Sequence, residues 1–308
     1  MKQNNKNNSK AAGAAKIGAT VTGADNMPEI REGQTVALLQ ELHILTRDGK
    51  MNQDSRRKLK QVYHLYQFIE PLLKDLLETK GSISLVDHGA GKSYLGFIIY
   101  DLFFKALDVG SDGSHIYGIE TREELVKRSQ ELAQQFNFPG MSFLPLSVAE
   151  STESKLLPEQ VDIVTALHAC NTATDDAIDF ALKKKARYMV LVPCCQAEVA
   201  SVLKKNKGKS LAKSALTEIW RHPIHTREFG SQITNVLRCL QLEAHGYQVN
   251  VTELVGWEHS MKNELIIATY KDLPRQRPSQ RLQEVLETLG LEEMGQRFYT
   301  QQVAAQTT

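Results

Sequence analysis

No stretch of this 308-residue chain approaches the roughly 18–20 consecutive apolar residues that a membrane span needs. The segment from Met1 to Asp25, rich in Asn, Lys and Ala, has no apolar signal-peptide centre either. A soluble, cytoplasmic protein is expected. Cysteine is scarce: Cys170, Cys194, Cys195 and Cys239 show no CxxC spacing, which argues against a zinc ribbon or a disulfide framework and leaves reduced thiols. Large net charge is missing too, at +1, so the total names no partner. With 42% hydrophobic and 24% charged residues, the chain is neither fibrous nor disordered in bulk.

Charge is nonetheless unevenly spread. From Lys183 to Arg227 there are eleven Lys or Arg residues against two acids, Glu198 and Glu218, a local excess of +9. Such a stretch is either a solvated helix face balanced elsewhere or a nucleic-acid surface. A second basic cluster, Arg56, Arg57, Lys58 and Lys60, opens a helical segment.

Residues 1–27 have no periodicity and few large apolar side chains, and are expected to form a disordered tail. Over 28–80, apolar residues such as Val62, Leu65, Tyr66, Ile69 and Leu73 recur at helical spacing and predict an N-terminal helical appendage. From 81 to 271, short β-rich runs (83–86, 116–119, 142–146, 161–166 and 188–192) alternate with helical stretches (94–107, 123–136 and 175–185). That alternation predicts an α/β fold with a parallel sheet covered on both faces. Two last runs, 247–254 and 265–270, are close enough in sequence to pair antiparallel. The expectation is a Rossmann-like, seven-stranded sheet of the class I methyltransferase kind. Residues 272–308 should add one short amphipathic helix, near 282–291, and a polar tail.

After the first strand comes Asp87-His88-Gly89-Ala90-Gly91-Lys92-Ser93-Tyr94. Glycines at 89 and 91 allow a tight turn and close backbone approach to a ligand at the carboxyl end of the sheet. Three ligands compete for such a loop. A P-loop is poorly matched because Val86 stands where its first glycine belongs, and a dinucleotide fingerprint needs glycine at Tyr94. The third is a sulfonium amino acid, whose positive charge suits Asp87, with Glu120 at the next strand end accepting ribose hydroxyls. Glu120 has a second reading, as a surface acid capping the helix that begins near Arg122.

Two further segments should emerge on the same rim: Leu167-His168-Ala169-Cys170-Asn171-Thr172-Ala173-Thr174-Asp175 and Pro193-Cys194-Cys195-Gln196. His168 suits proton transfer, Asp175 could hold a histidine tautomer, and the thiols could line an acceptor pocket. Equally, Thr174 and Asp175 are ordinary residues for a helix start, and buried cysteines pack as small apolar groups. The His/Cys spacing is not that of a zinc site, and no metal is expected.

The run from Asp87 to Leu95, the His-Ala-Cys-x-x-Ala-Thr-Asp segment at 168–175 and Pro193-Cys194-Cys195 occur in that order. Together they resemble the methyltransferase domain shared by methyltransferase-like twenty-five proteins, the glutathione S-transferase C-terminal-domain-containing protein and eukaryotic tRNA ribose 2′-O-methyltransferases. The resemblance spans roughly residues 61–271. It implies S-adenosylmethionine as cofactor, a donor site of Asp87, Gly89, Gly91, Tyr94, Glu120, Ser147 and Leu167, and a catalytic set of His168, Asp175 and Cys194. Trp257-Glu258-His259-Ser260-Met261-Lys262-Asn263 resembles a motif these proteins carry between their last two strands. Asn171 stands where relatives commonly have glycine, and the zinc modules of the tRNA enzymes have no counterpart here.

Methylation of RNA is the expected activity, because the donor fold coincides with the two basic stretches and with Trp220, His222 and His225, groups suited to stacking on bases. Methylation of a protein or small molecule, or noncatalytic binding of the donor, are the alternatives.

Overall fold

The computed structural model describes residues 30–105, 113–167, 171–193, 196–206, 215–254 and 264–299. Strands β1 (Ser84–His88), β2 (His115–Ile119), β3 (Met141–Leu144), β4 (Ile163–Leu167) and β5 (Tyr188–Val192) are short and mostly apolar. That composition suits strands covered on both faces. They pair in parallel, and β6 (Tyr247–Glu253) and β7 (Glu264–Tyr270) complete a sheet of order β3-β2-β1-β4-β5-β7-β6. β7 runs antiparallel to both of its neighbours. The architecture is therefore the expected Rossmann-like class I sheet. One boundary differs in a way that matters: Asp87 and His88, expected in the loop, belong to β1, where they lie opposite Gly118 and Ile119.

Successive strand residues point to opposite faces, and the core divides accordingly. On one face, α1 (Val36–Glu41), α2 (Gln53–Lys80), α3 (Tyr94–Ile99) and α4 (Glu123–Gln135) pack Leu38, Ile69, Phe97 and Leu132 into one cluster with Leu85, Ile163 and Val190 of the sheet. The N-terminal helices thus share the sheet's core. On the other face, α6 (Ala173–Lys183) and α8 (Pro223–Glu243) bring Ile178, Phe180 and Leu242 against Val86, Val164 and Leu191. A third cluster joins α7 (Glu198–Lys205) and α9 (Gln276–Leu289) to α8. There α7 and α8 approach backbone to backbone, since a Cβ on Gly230 would stand 2.7 Å from the Cα of Ala200.

Helix α2 starts under an Asn52 cap, whose side chain accepts the Ser55 amide at 2.7 Å, and stops at Gly81 in the left-handed region. Lys80 bonds Asp162 at 2.7 Å and the Tyr188 hydroxyl bonds Asp75 at 2.6 Å, both at the amino edge of the sheet. The helix has 28 residues, roughly 42 Å, against roughly 17 Å for a strand of five. The helix is thus much longer than the strands it packs against. No described helix is long and apolar enough to cross a membrane.

Candidate active site

Strand order reverses between β1 and β4: the chain builds outward from β1 through β2 to β3, then returns to place β4 on β1's other side. Ligands of open α/β sheets bind in the crevice that such a reversal opens at the carboxyl ends. Gly89 (φ 65°) and Gly91 (φ 59°) adopt left-handed backbone there. Nothing lies within 4 Å of a Cβ built on Gly89, so its backbone angle, not crowding, requires glycine. The loop is held by the Ala90 amide donating to the Ile119 carbonyl at 3.0 Å.

Glu120 follows β2 directly and is 8% exposed. Its Oε2 accepts the Gly91 amide at 2.9 Å and its Oε1 accepts the Arg122 amide at 3.1 Å. The Arg122 guanidinium bonds both oxygens. Burial pushes this carboxyl's pKa up, but the Arg122 and Gly91 hydrogen bonds outweigh it, so the net shift is downward and Glu120 stays ionised.

Asp87 is 2% exposed and accepts one hydrogen bond from the Thr165 hydroxyl of β4, at 2.7 Å. Burial raises its pKa to about 7, and the Thr165 bond only partly offsets that. The neighbouring His88 points to the other face, edge-on to Phe180 at 4.4 Å, with neither ring nitrogen hydrogen-bonded. Burial drops its pKa to about 3. Ser93, between the glycine turn and Tyr94, is fully buried with its hydroxyl unpaired.

The remaining residues of the expected donor set lie on the same rim. Tyr94 is the first residue of α3, and Leu167 ends β4, packed partly on the core. Ser147 opens α5 (Val148–Glu153) in a capping box with Glu150, its hydroxyl donating to Oε2 of Glu150 at 2.7 Å.

His168 and Cys194, with Cys170, Cys195 and residues 255–263, lie outside the described residues. Asp175 is described. It sits in the first turn of α6, 8% exposed, and both its oxygens receive the Arg238 guanidinium at 2.6 and 2.8 Å. Arg238 itself is 0% exposed. Its remaining contacts tie the rim together: Nη2 donates to the Asn171 carbonyl at 3.0 Å and Nη1 to Asn235 Oδ1 at 3.1 Å. Asn235 in turn accepts from Gln196 at 3.1 Å and donates to Glu264 at 2.6 Å. One polar network thus joins the segments that follow β4 and β5 to the start of β7. Thr174, expected to cap α6, lies inside the helix; Thr172 occupies the cap position without a side-chain bond.

Sequence reasoning missed Arg238, Asn235, Gln196, Glu264 and Arg122. For Arg238 a signal existed: a lone cation within the apolar run Val236-Leu237-Arg238-Cys239-Leu240 is either snorkelling or paired.

Among the described residues, several cations of the stretch from Lys183 to Arg227 are paired or buried. Lys183 pairs with Asp179, Arg187 with Asp75, Lys205 with Glu293, Arg221 with Glu218 and Arg227 with Glu228, and Lys184 is buried. Lys207, Lys209 and Lys213 lie outside the described residues. Lys183 to Arg187 also join α6 to the start of β5, at the edge opposite the glycine loop. Trp220, considered for base stacking, is 7% exposed and packs against Phe229 within the third cluster. It has no free face to offer a base. Arg56, Arg57, Lys58 and Lys60 are all exposed on the first turns of α2, where Arg57 pairs with Asp54 at 3.8 Å.

Part of the chain is similar to known methyltransferase domains. Residues 57–202 match a family model described as a methyltransferase domain. The glutathione S-transferase C-terminal domain-containing protein of Bos taurus is 23% identical over 239 residues, 72% of this chain and 34% of the relative. The Xenopus laevis protein of that name is 22% identical over 240 residues, 72% of this chain and 36% of the relative. The chain therefore spans about a third of the length of these curated relatives. Among solved structures it is similar to magnesium protoporphyrin IX methyltransferase from Synechocystis with bound SAH (TM-score 0.44, 14% identity, 76% of this chain and 95% of that one). It is also similar to an SAH-bound Podospora anserina methyltransferase (TM-score 0.42, 10% identity, 77% and 88%). At such low overlap the fold is read from this chain's own strand order. Residues 57–202 are thus similar to a methyltransferase domain, and the sheet to which they contribute five strands has the class I order.

Proposed function

We propose that this chain methylates RNA, holding the donor in the crevice between β1 and β4 and the acceptor against the rim formed after β4 and β5. The donor placement is carried by one observation: Glu120, at the end of β2, bonds the amide of Gly91 inside the left-handed glycine turn. An acceptor carboxylate is thereby placed beside a loop whose backbone can approach a ligand. S-adenosylmethionine, when bound, supplies an electrophilic methyl group on a sulfonium.

The protein's part is to bind and to orient. Glu120 accepts the ribose hydroxyls, Asp87 balances the positive charge of the donor, and Gly89, Gly91, Tyr94, Ser147 and Leu167 shape the rest of the site. Methyl transfer needs the acceptor in line with the departing sulfur, so positioning contributes more than covalent catalysis. His168 is the proposed proton acceptor and Cys194 lines the acceptor side. Asp175 is committed to Arg238, and its role is to hold the Asn171 segment rather than to move a proton.

Calorimetry with S-adenosylmethionine tests the donor site. Asp87→Ala and Glu120→Ala should each weaken binding by at least tenfold in proteins that remain folded, and unaltered affinity in both would end this assignment. Because a cation favours the ionised form of Asp87, wild-type affinity should rise as pH passes through 7. At pH 6 it should be about tenfold weaker than at pH 8.

The RNA reading is supported by the exposed row Arg56, Arg57, Lys58 and Lys60 on the first turns of α2. Backbone recognition requires such cations. Replacing all four with Gln should weaken RNA binding and flatten its salt dependence while donor affinity is unchanged. The ion pairs that neutralise much of the Lys183 to Arg227 stretch favour the second reading, a protein or small-molecule acceptor. Labelled methyl groups found only in those fractions would establish it.

A further inference from the structure

Arg122 stands two residues beyond Glu120, where β2 gives way to α4. Its Nε donates to Oε1 of Glu120 at 3.0 Å and its Nη2 to Oε2 at 3.1 Å. The same carboxylate accepts the backbone amides of Arg122 at 3.1 Å and of Gly91 at 2.9 Å. A carboxylate offers about four acceptor positions, and these four donors take them, with the Thr121 hydroxyl making a longer fifth contact to Oε1 at 3.4 Å. Two of the four are fixed by the backbone. The other two belong to a side chain that is 60% exposed. The guanidinium also lies over the glycine turn, its Nη2 3.8 Å from where a Cβ on Gly91 would be.

We infer that Arg122 is an internal competitor for the ribose position on Glu120, and so sets how tightly the donor is held and how readily the adenosyl product leaves. The inference rests on the assignment of Glu120 to donor binding. A ribose diol can reach the carboxylate only where the guanidinium now bonds it, because the amide-held positions belong to the turn itself. Binding therefore exchanges one bidentate ion pair for two hydroxyl hydrogen bonds, and the lost pair subtracts from affinity. Product and donor carry the same ribose, so both feel the competition equally. Glu124, in the first turn of α4, already interacts electrostatically with Arg122 and gives the displaced cation an alternative partner.

Arg122 is exposed, so its replacement should leave the fold intact, which a thermal melt checks. Calorimetry with S-adenosylmethionine and with S-adenosylhomocysteine should show Arg122→Ala binding both roughly two- to fivefold more tightly than wild type, the range a solvent-facing ion pair supplies. Arg122→Lys, which cannot form the two-toothed pair, should fall between. Raising salt from about 0.05 to about 0.5 M shortens the screening length severalfold, so the gap between wild type and Arg122→Ala should narrow. Equal or weaker binding by Arg122→Ala, for either ligand, would overturn the inference. The parallel Glu120→Ala measurement keeps the two claims apart. If Glu120→Ala loses the donor while Arg122→Ala gains nothing, the competitor fails and the donor site stands; if Glu120→Ala binds normally, both fall.

Discussion

Arg238→Met should destabilise the protein by about 3–5 kcal/mol, the range for removing one partner of a buried ion pair. Arg238 has 0% of its side chain exposed and Asp175 has 6%. The substitution leaves the Asp175 carboxylate buried without its cation, removes the Arg238 donor to the Asn171 carbonyl, and leaves Asn235 Oδ1 with Gln196 alone. Asp175→Asn should be nearly as damaging, because it removes the countercharge of a guanidinium that water cannot reach. The double variant Asp175→Leu/Arg238→Met should recover much of the loss, since an apolar pair of similar volume has no charge to desolvate. Recovery should be incomplete, because the Asn171 carbonyl still lacks its Arg238 donor and Asn235 keeps only Gln196 and Glu264. Urea unfolding measures all three. A loss below about 1 kcal/mol in both single variants would mean that the pair contributes as a surface ion pair does.

The second large effect concerns pH and two adjacent residues of β1. Folded Asp87 has a pKa of about 7 against an ordinary value of 3.8, so between those limits the folded protein holds a proton that the unfolded chain has released. That stability is present at low pH and is lost as pH rises to about 7. Folded His88 has a pKa of about 3 against 6.5, so in its window the unfolded chain holds the extra proton. That contribution has the opposite sign: stability falls as pH drops from 6.5 towards 3. From about pH 4 to 6.5 the two proton counts cancel, and wild type should show little slope from this pair. Asp87→Asn unmasks His88, giving a rise of roughly 1.4 kcal/mol per pH unit up to pH 6.5, and at pH 8 it should be more stable than wild type by up to about 4 kcal/mol. His88→Leu unmasks Asp87 and should show a fall of similar slope between about pH 4 and 7. Urea melts at pH 4.5, 6 and 8 read both. Parallel pH profiles for wild type and both variants would refute the cancellation.

How much of this was readable beforehand depends on the range of the interaction involved. The glycine turn was legible because residues 89 and 91 need a left-handed backbone, a property local to the chain. Glu120 was legible because strand alternation places it at a strand end. The helical character of residues 53–80 was visible in the spacing of Val62, Tyr66, Ile69 and Leu73, but their burial against Leu85 and Val190 of the sheet was not. Trp220 and its neighbouring cations read as a nucleic-acid surface in one dimension. In three, the indole is inside a helix cluster and many of the cations have acids beside them.

The sequence alone determined the α/β alternation, the parallel sheet with its antiparallel end, and the acids and glycines at the strand ends, since these follow from hydrophobic period and backbone angle over a few residues. Only the tertiary structure decided which charges meet. Asp175 and Arg238 are 63 positions apart, and Thr165 is 78 from Asp87. It also decided that Asp87 and His88 would be desolvated inside β1, and that Arg122 would bond both oxygens of Glu120. Ionisation and hydrogen bonding depend on distance and on exclusion of water, and neither is set until strands β1, β2 and β4 and helices α6 and α8 have packed.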